Sequence, residues 1–282
     1  MTHLDLKIPK AASSIQKGVP LKLVLDKEVV HQLAINLQLV HPSFQKSNFV
    51  KDCMEEIDPL TLTERGKHIA DVLSNYLPKR YSNAIAILLK SLTPPLEATE
   101  GNGLAPMFYM PHCNFISKYG LDSAHNNGED PFEISMQAQY EFTKRFTCEF
   151  SIRSFIVDQQ ERTMEVLYSW MKDPNPHVRR LCSEGTRPRL PWATKIDAFV
   201  KDPTPSLKIL EELKNDPDLY VRRSVANHVG DIAKDHIELA LELCESWLKD
   251  ASKELKWVIR HALRNPAKKG NEKAIAVRKK AV

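Results

Sequence analysis

Apolar residues recur at three- and four-residue spacing through most of the chain. Val29, Val30, Leu33, Ala34, Leu37 and Val40 form one such stripe, and Ile69, Val72, Leu73, Tyr76 and Leu77 form another. That period marks amphipathic helices with one face turned to a core. A further helix is predicted over 84–92, stopped by Pro94 and Pro95. Beyond residue 132 the pattern predicts helices over 133–150, 152–157, 161–172, 176–185, 204–214, 219–231, 236–248 and 253–264. Between these two regions the period is lost. Residues 93–131 contain Pro94, Pro95, Gly101, Gly103, Pro106, Pro111, Gly120, Gly128 and Pro131 around Phe108, Tyr109 and Phe115. They read as a long surface excursion with one short helix, and as a soft boundary.

The helical pattern also repeats itself. Asp173-Pro174-Asn175-Pro176-His177-Val178-Arg179-Arg180 returns 43 residues later as Asp216-Pro217-Asp218-Leu219-Tyr220-Val221-Arg222-Arg223. A weaker third copy follows 34 residues on, from Asp250 to Lys256 and Trp257. Each copy is a helix, an Asp turn, and a second helix that opens on paired cations. Such periods predict an all-α, right-handed solenoid of stacked helical pairs, with the second helices lining a concave basic face. The first copy alone runs on into Gly185-Thr186-Arg187-Pro188-Arg189-Leu190-Pro191-Trp192. Gly185 is expected to end its helix in a left-handed conformation, and the two prolines to stiffen a strap that displays Arg187, Arg189 and Trp192.

Composition adds limits. With 282 residues, 42% apolar and 27% charged, the chain can bury a core without staples. Nine glycines are few for a β-rich or glycine-loop enzyme. Cys53, Cys113, Cys148, Cys182 and Cys244 are scattered and form no C-x-x-C pair, as expected of reduced thiols in a cytoplasmic protein. No signal peptide and no membrane span are expected, because no long uncharged apolar run occurs. The net charge of +4 says little, but its distribution says more. Residues 1–130 carry 13 Lys/Arg against 14 Asp/Glu, whereas residues 251–282 carry ten against Glu254 and Glu272. A basic end on a near-neutral body points to a polyanionic partner. Three regions are therefore expected: 1–130, helical with the excursion; 131–265, the repeats with the site; and 266–282, a basic tail.

The chemistry sits on the second helices. Arg180 and Glu184 are four apart and share a face, and Arg223, Asn227 and Asp231 repeat that spacing at four and eight. Arg145, Glu149 and Arg153 do the same on the preceding unit. Glu149, Glu184 and Asp231 would then come from three neighbouring rungs. Around them stand Arg179, Arg180, Arg187, Arg189, Arg222, Arg223, His228 and Lys234, then Lys256, Trp257, Arg260, His261 and Arg264. Cations on such a wall neutralise phosphates, and Trp192 can stack on a base. Acids repel phosphate, so their presence suits a substrate that develops positive charge, as deoxyribose does when an N-glycosidic bond breaks. Arg–Glu pairs at this spacing are also ordinary helix supports, worth about 0.2–0.5 kcal/mol each. His112 and Cys113 have no partners at ligand spacing, so no metal is expected, and nothing in the chain asks for a cofactor. Glycine-rich phosphate loops and a G-x-S-x-G elbow are absent, and Ser183 has no neighbouring histidine in sequence.

The run from His177 to Trp192, with 220–228, 231–236 and the helix around 143–153, resembles the AlkC branch of the HEAT-like alkylpurine DNA glycosylases. That resemblance covers roughly residues 60–265. It implies a monomeric, monofunctional repair glycosylase that releases cationic N-alkylated bases, such as 3-methyladenine and 3-methylcytosine, from double-stranded DNA. It also implies that the catalytic acids fall on Glu149, Glu184 and Asp231, with Arg180 and Trp192 beside them. Some family members carry a C-terminal immunoglobulin-like domain, whereas residues 266–282 show no strand pattern and are rich in lysine. A HEAT-repeat module that binds nucleic acid without catalysis, and a protein-binding scaffold, are the competing assignments.

Overall fold

The computed structural model describes residues 5–122, 125–126 and 128–282, and among them the regular elements are all helical. Two compact units meet at Ser151/Ile152. That division lies some way beyond residue 130, where the loss of period had suggested a boundary.

The first unit holds α1 (Lys27–Val40), α2 (Lys46–Glu55), α3 (Leu62–Tyr76), α4 (Tyr81–Lys90), α5 (Met110–Tyr119) and α6 (Phe132–Thr143). The stripes read from the sequence are its core: Val30, Leu33, Leu37, Ile69 and Leu73 are buried. A capping box opens α3, with the Thr61 amide and hydroxyl both donating to the Glu64 carboxylate, at 2.8 and 2.6 Å. The 93–131 excursion is more ordered than its composition suggests. Ala105–Tyr109 forms a 3-10 turn that leads directly into α5, and Phe108, Tyr109 and Phe115 are buried. Burying aromatic rings outweighs the local preference of proline and glycine for loops. Pro106 and Pro111 sit in first turns, where a missing amide hydrogen costs nothing.

The helix expected over 133–150 is two helices. α6 ends at Thr143, and α7 (Glu149–Asp158) runs across the division between the units. The break has a local cause. Thr147 caps α7: its hydroxyl accepts from the Glu149 amide at 3.3 Å and donates to the Glu149 carboxylate at 2.8 Å.

In the second unit helices alternate in pairs. α8 (Gln160–Trp170) precedes α9 (Pro176–Gly185), and α11 (Thr204–Leu213) precedes α12 (Leu219–Ile232), after the short α10 (Asp197–Lys201). α13 (Ile237–Leu248) precedes α14 (Lys253–Ala262). The second members α9, α12 and α14 pack side by side, and α8 and α11 lie behind them. Asn175 caps α9 through the His177 amide, and Pro176 takes its first turn, so the Asp-Pro signature does build the turns.

Residues 266–282 are not a solvated tail. α15 (Arg264–Lys268) and α16 (Glu272–Lys280) fold back on α13 and α14, and Ala274 and Val277 are buried. No helix among the described residues is long and apolar enough to cross a membrane.

Candidate active site

The paired arginines divide their labour. In both copies the first arginine closes its own turn: Arg179 donates to the carbonyls of Asp173 and Pro174, and Arg222 to those of Asp216 and Pro217. Arg179 goes further and grips both oxygens of Asp216, at 2.6 and 3.0 Å, and Asp218 at 2.8 Å. It therefore latches one repeat to the next from a buried position. The expectation that Arg179 and Arg222 hold phosphates is corrected, since their guanidiniums serve the turns. The second arginine faces elsewhere. Arg180 lies over the Tyr220 ring at 4.9 Å and reaches Glu184 at 3.4 Å, and Arg223 is exposed.

Behind Arg180 lies a buried ionic cluster. Arg187 turns inward and joins two carboxylates, donating from Nη1 to Glu184 at 2.6 Å and from Nε to Asp231 at 2.7 Å. The Ser224 hydroxyl donates to the other Glu184 oxygen at 2.6 Å and lies 3.0 Å from the Ser183 hydroxyl. Lys234 donates to the second Asp231 oxygen at 2.7 Å. The side chains of Glu184, Asp231 and Arg187 are only 7%, 4% and 9% exposed. Burial works against ionising Glu184, but the guanidiniums of Arg180 and Arg187 and the Ser224 hydroxyl outweigh it and hold this carboxyl below its usual range. Arg187 is desolvated too, and its two carboxylates keep it charged.

His228 is expected from the sequence as a ligand-facing residue, and the structure corrects this. It is fully buried, with Nδ1 donating to the Ser183 carbonyl at 2.9 Å and Nε2 making no hydrogen bond. Burial, then the nearby Arg187 charge, lowers its pKa to about 4. It is a neutral strut that ties α12 to α9 just before Glu184.

The strap is also reorganised. Gly185 does not adopt a left-handed conformation. Glycine is needed there because a Cβ would come within 2.5 Å of Ile152. Arg153 collects the strap's carbonyls, donating to Gly185 at 3.1 Å, Arg187 at 2.6 Å and Thr194 at 2.6 and 3.0 Å. Of the three residues expected on display, Arg187 is buried and Arg189 makes a two-pronged pair with Asp235 at 2.6 and 2.7 Å. Trp192 alone projects, 72% exposed on a left-handed backbone with φ 65°. A tryptophan in that region of φ is strained, and the clamped loop around it supplies the constraint.

Further along, Asn227 accepts from Arg264 at 3.0 Å and lies 3.2 Å from His261, on which Trp257 stacks at 4.8 Å. Lys256 and Arg260, expected to contact DNA, each donate to a carbonyl of the last two residues, Val282 and Ala281. Glu149 belongs to the first unit, where it opens α7 with its carboxylate on Thr147. Sequence reasoning overlooked Ser224, Asp216 and the clamp made by Arg153. Arg153 was visible four residues after Glu149, on the same spacing as the arginine–acid pairs. No group of three or more potential metal ligands occurs among the described residues.

No protein-family model matches the chain. YhaZ of Bacillus subtilis (strain 168), an uncharacterized protein, is 37% identical over 258 residues, which span 91% of this chain and 67% of YhaZ. The alkylpurine DNA glycosylase AlkC of Pseudomonas fluorescens, solved bound to DNA containing an abasic site analogue, superposes with a TM-score of 0.80. It is 34% identical, over 92% of this chain and 68% of AlkC. The chain belongs to the AlkC family of alkylpurine DNA glycosylases. An AlkC fold accounts for the helical repeats, and the resemblance carried by residues 177–192 stands. Within it, Glu184, Arg187 and Asp231 build a cluster of buried charge in the second unit.

Proposed function

We propose that this chain hydrolyses the N-glycosidic bond of cationic N-alkylated bases, such as 3-methyladenine and 3-methylcytosine, in double-stranded DNA. The observation that carries this is the Glu184–Arg187–Asp231 cluster, where two buried carboxylates are joined by one buried guanidinium. Fixed, desolvated carboxylates favour positive charge far more than mobile ones in water do. An alkylated base is already cationic, so it leaves as a neutral molecule without an acid to protonate it. The C1′–N bond breaks and the positive charge passes to the sugar, where Asp231 and Glu184 oppose it. Water then bonds to C1′ and passes its proton to a carboxylate of the site, from which it leaves to solvent, and the sugar is left as an abasic site. Glu149 is assigned a catalytic role on the strength of the family motif alone.

DNA is the proposed partner because the AlkC relative holds it and because Arg180, Arg223 and Trp192 stand on or beside the second helices. A cationic rung grips the backbone, and an exposed indole can fill the place of an extruded base. The chain is proposed to act as a monofunctional hydrolase, leaving the strand intact at the abasic site.

Incubation with methylated duplex DNA should release 3-methyladenine and leave strands that break only on later treatment with base. Asp231→Asn should slow release by on the order of 10²–10³-fold while affinity for duplex DNA stays within a few fold. No release by the unaltered chain would overturn the proposal. Equal loss of release and binding in Asp231→Asn would show that the acid serves the fold.

A further inference from the structure

The two partners of Asp231 differ in how firmly they are held. Arg187 is buried, bound at the same time to Glu184, and fixed by the clamped strap around it. Lys234 is a different kind of partner. Its side chain is 48% exposed, it lies just past the end of α12, and its ammonium has Asp231 as its partner at 2.7 Å. One oxygen of a buried carboxylate is thus held by a fixed cation and the other by a cation at the protein surface.

We propose that Lys234 is a resident counter-ion, holding the second oxygen of Asp231 until the positive charge of the damaged nucleotide takes its place. This rests on the reading of Asp231 as the carboxylate that faces that charge. The physical reason is charge balance. Asp231 is 4% exposed, so leaving one of its oxygens without a counter-charge is costly. A neutral nucleotide cannot repay the departure of Lys234, whereas a cation can. Lysine suits such an exchange because its ammonium is a single point charge on a flexible stem that regains water readily. The pair is at the same time a competitor, because a cation at the site must displace it while an uncharged group leaves it in place. Lys234 is therefore a specificity-determining residue whose contact with Asp231 is made to be broken.

Two DNA duplexes test this, one carrying a cationic pyrrolidine abasic analogue and the other an uncharged tetrahydrofuran one. The quantity measured is the ratio of their affinities, in which phosphate contacts common to both cancel. The unaltered chain should prefer the pyrrolidine duplex. Lys234→Met removes the competitor and keeps the apolar stem, so the preference should rise by about two- to fivefold, the range of a partly exposed ion pair. Lys234→Arg restores a cation and should bring the ratio back to the original value or below it. A preference unchanged in Lys234→Met, with both affinities weakened alike, would make Lys234 an ordinary phosphate contact and overturn the exchange. Equal affinity of the unaltered chain for both duplexes would instead overturn the assignment of Asp231 to the positive charge.

Discussion

The properties of the site come from which groups are made to stay charged and which to stay neutral. Glu184 is kept ionised although buried, because Arg180, Arg187 and Ser224 converge on it. His228, on the neighbouring helix, is kept neutral by the same burial and by the same Arg187. A charged His228 would have no acceptor for its Nε2 hydrogen. Its lowered pKa has a thermodynamic consequence of definite sign. Between about pH 4 and 6.5 the unfolded chain binds a proton at this position and the folded chain does not. The contribution is complete above the unfolded pKa and is lost as pH falls through this window. His228→Gln should therefore remove up to about 1.4 kcal/mol per pH unit from the slope of unfolding free energy against pH between those limits. Denaturant titrations of both proteins across that range measure it. Parallel slopes would mean that the ring is protonated in the folded state, and the neutral strut would be wrong.

Helices and turns were the most legible part of the sequence, and what they failed to disclose is informative. The i, i+4 spacing placed Arg180 on Glu184 correctly, because helical period fixes which side chains share a face. The doubled Val-Arg-Arg pattern did not say which arginine of each pair looks outward. In sequence the two are equivalent; in the structure the first wraps its own Asp-Pro turn. Arg187 was misplaced for a different reason. A proline-flanked loop has no period, so nothing local says that one arginine points inward and that the tryptophan five residues on points outward. Asp231, 44 positions away, holds Arg187 there together with Glu184. The split between paired arginines has a measurable form. Arg179→Met should leave the buried Asp216 without its counter-charge and cost about 3–5 kcal/mol of stability, while the folded protein keeps its affinity for duplex DNA. Arg223→Ala should leave the melting temperature nearly unchanged, weaken binding, and reduce the slope of log affinity against log salt by about one. Thermal melts and salt titrations of the two variants separate the roles, and a reduced salt slope in Arg179→Met would reverse the assignment.

At the scale of the whole chain, positive charge and structural packing meet in residues 266–282. Charge alone made this region look like a tail laid along a polyanion. Ala274 and Val277 instead bury themselves in the second unit, Asn271 caps α16, and Arg278 donates to the Arg260 carbonyl at 3.1 Å. Lys256 and Arg260, one repeat earlier, spend donors on the carbonyls of Val282 and Ala281. Helix α16 thus covers α13 and α14 as a capping element does, because an uncovered face of a repeat leaves apolar surface in water. The lysines of residues 266–282 lie outside: Lys268, Lys269, Lys279 and Lys280 are exposed. Capping and charge can therefore be separated by experiment. Ending the chain at residue 265 should lower the melting temperature and expose apolar surface to a reporter dye, because the cap is gone. Replacing those four lysines by serine should leave the melt unchanged and flatten the salt dependence of DNA binding, because only charge is gone. If the truncated chain melts like the full one, α16 is not a cap; if the serine variant binds with an unchanged salt slope, its lysines lie away from the DNA.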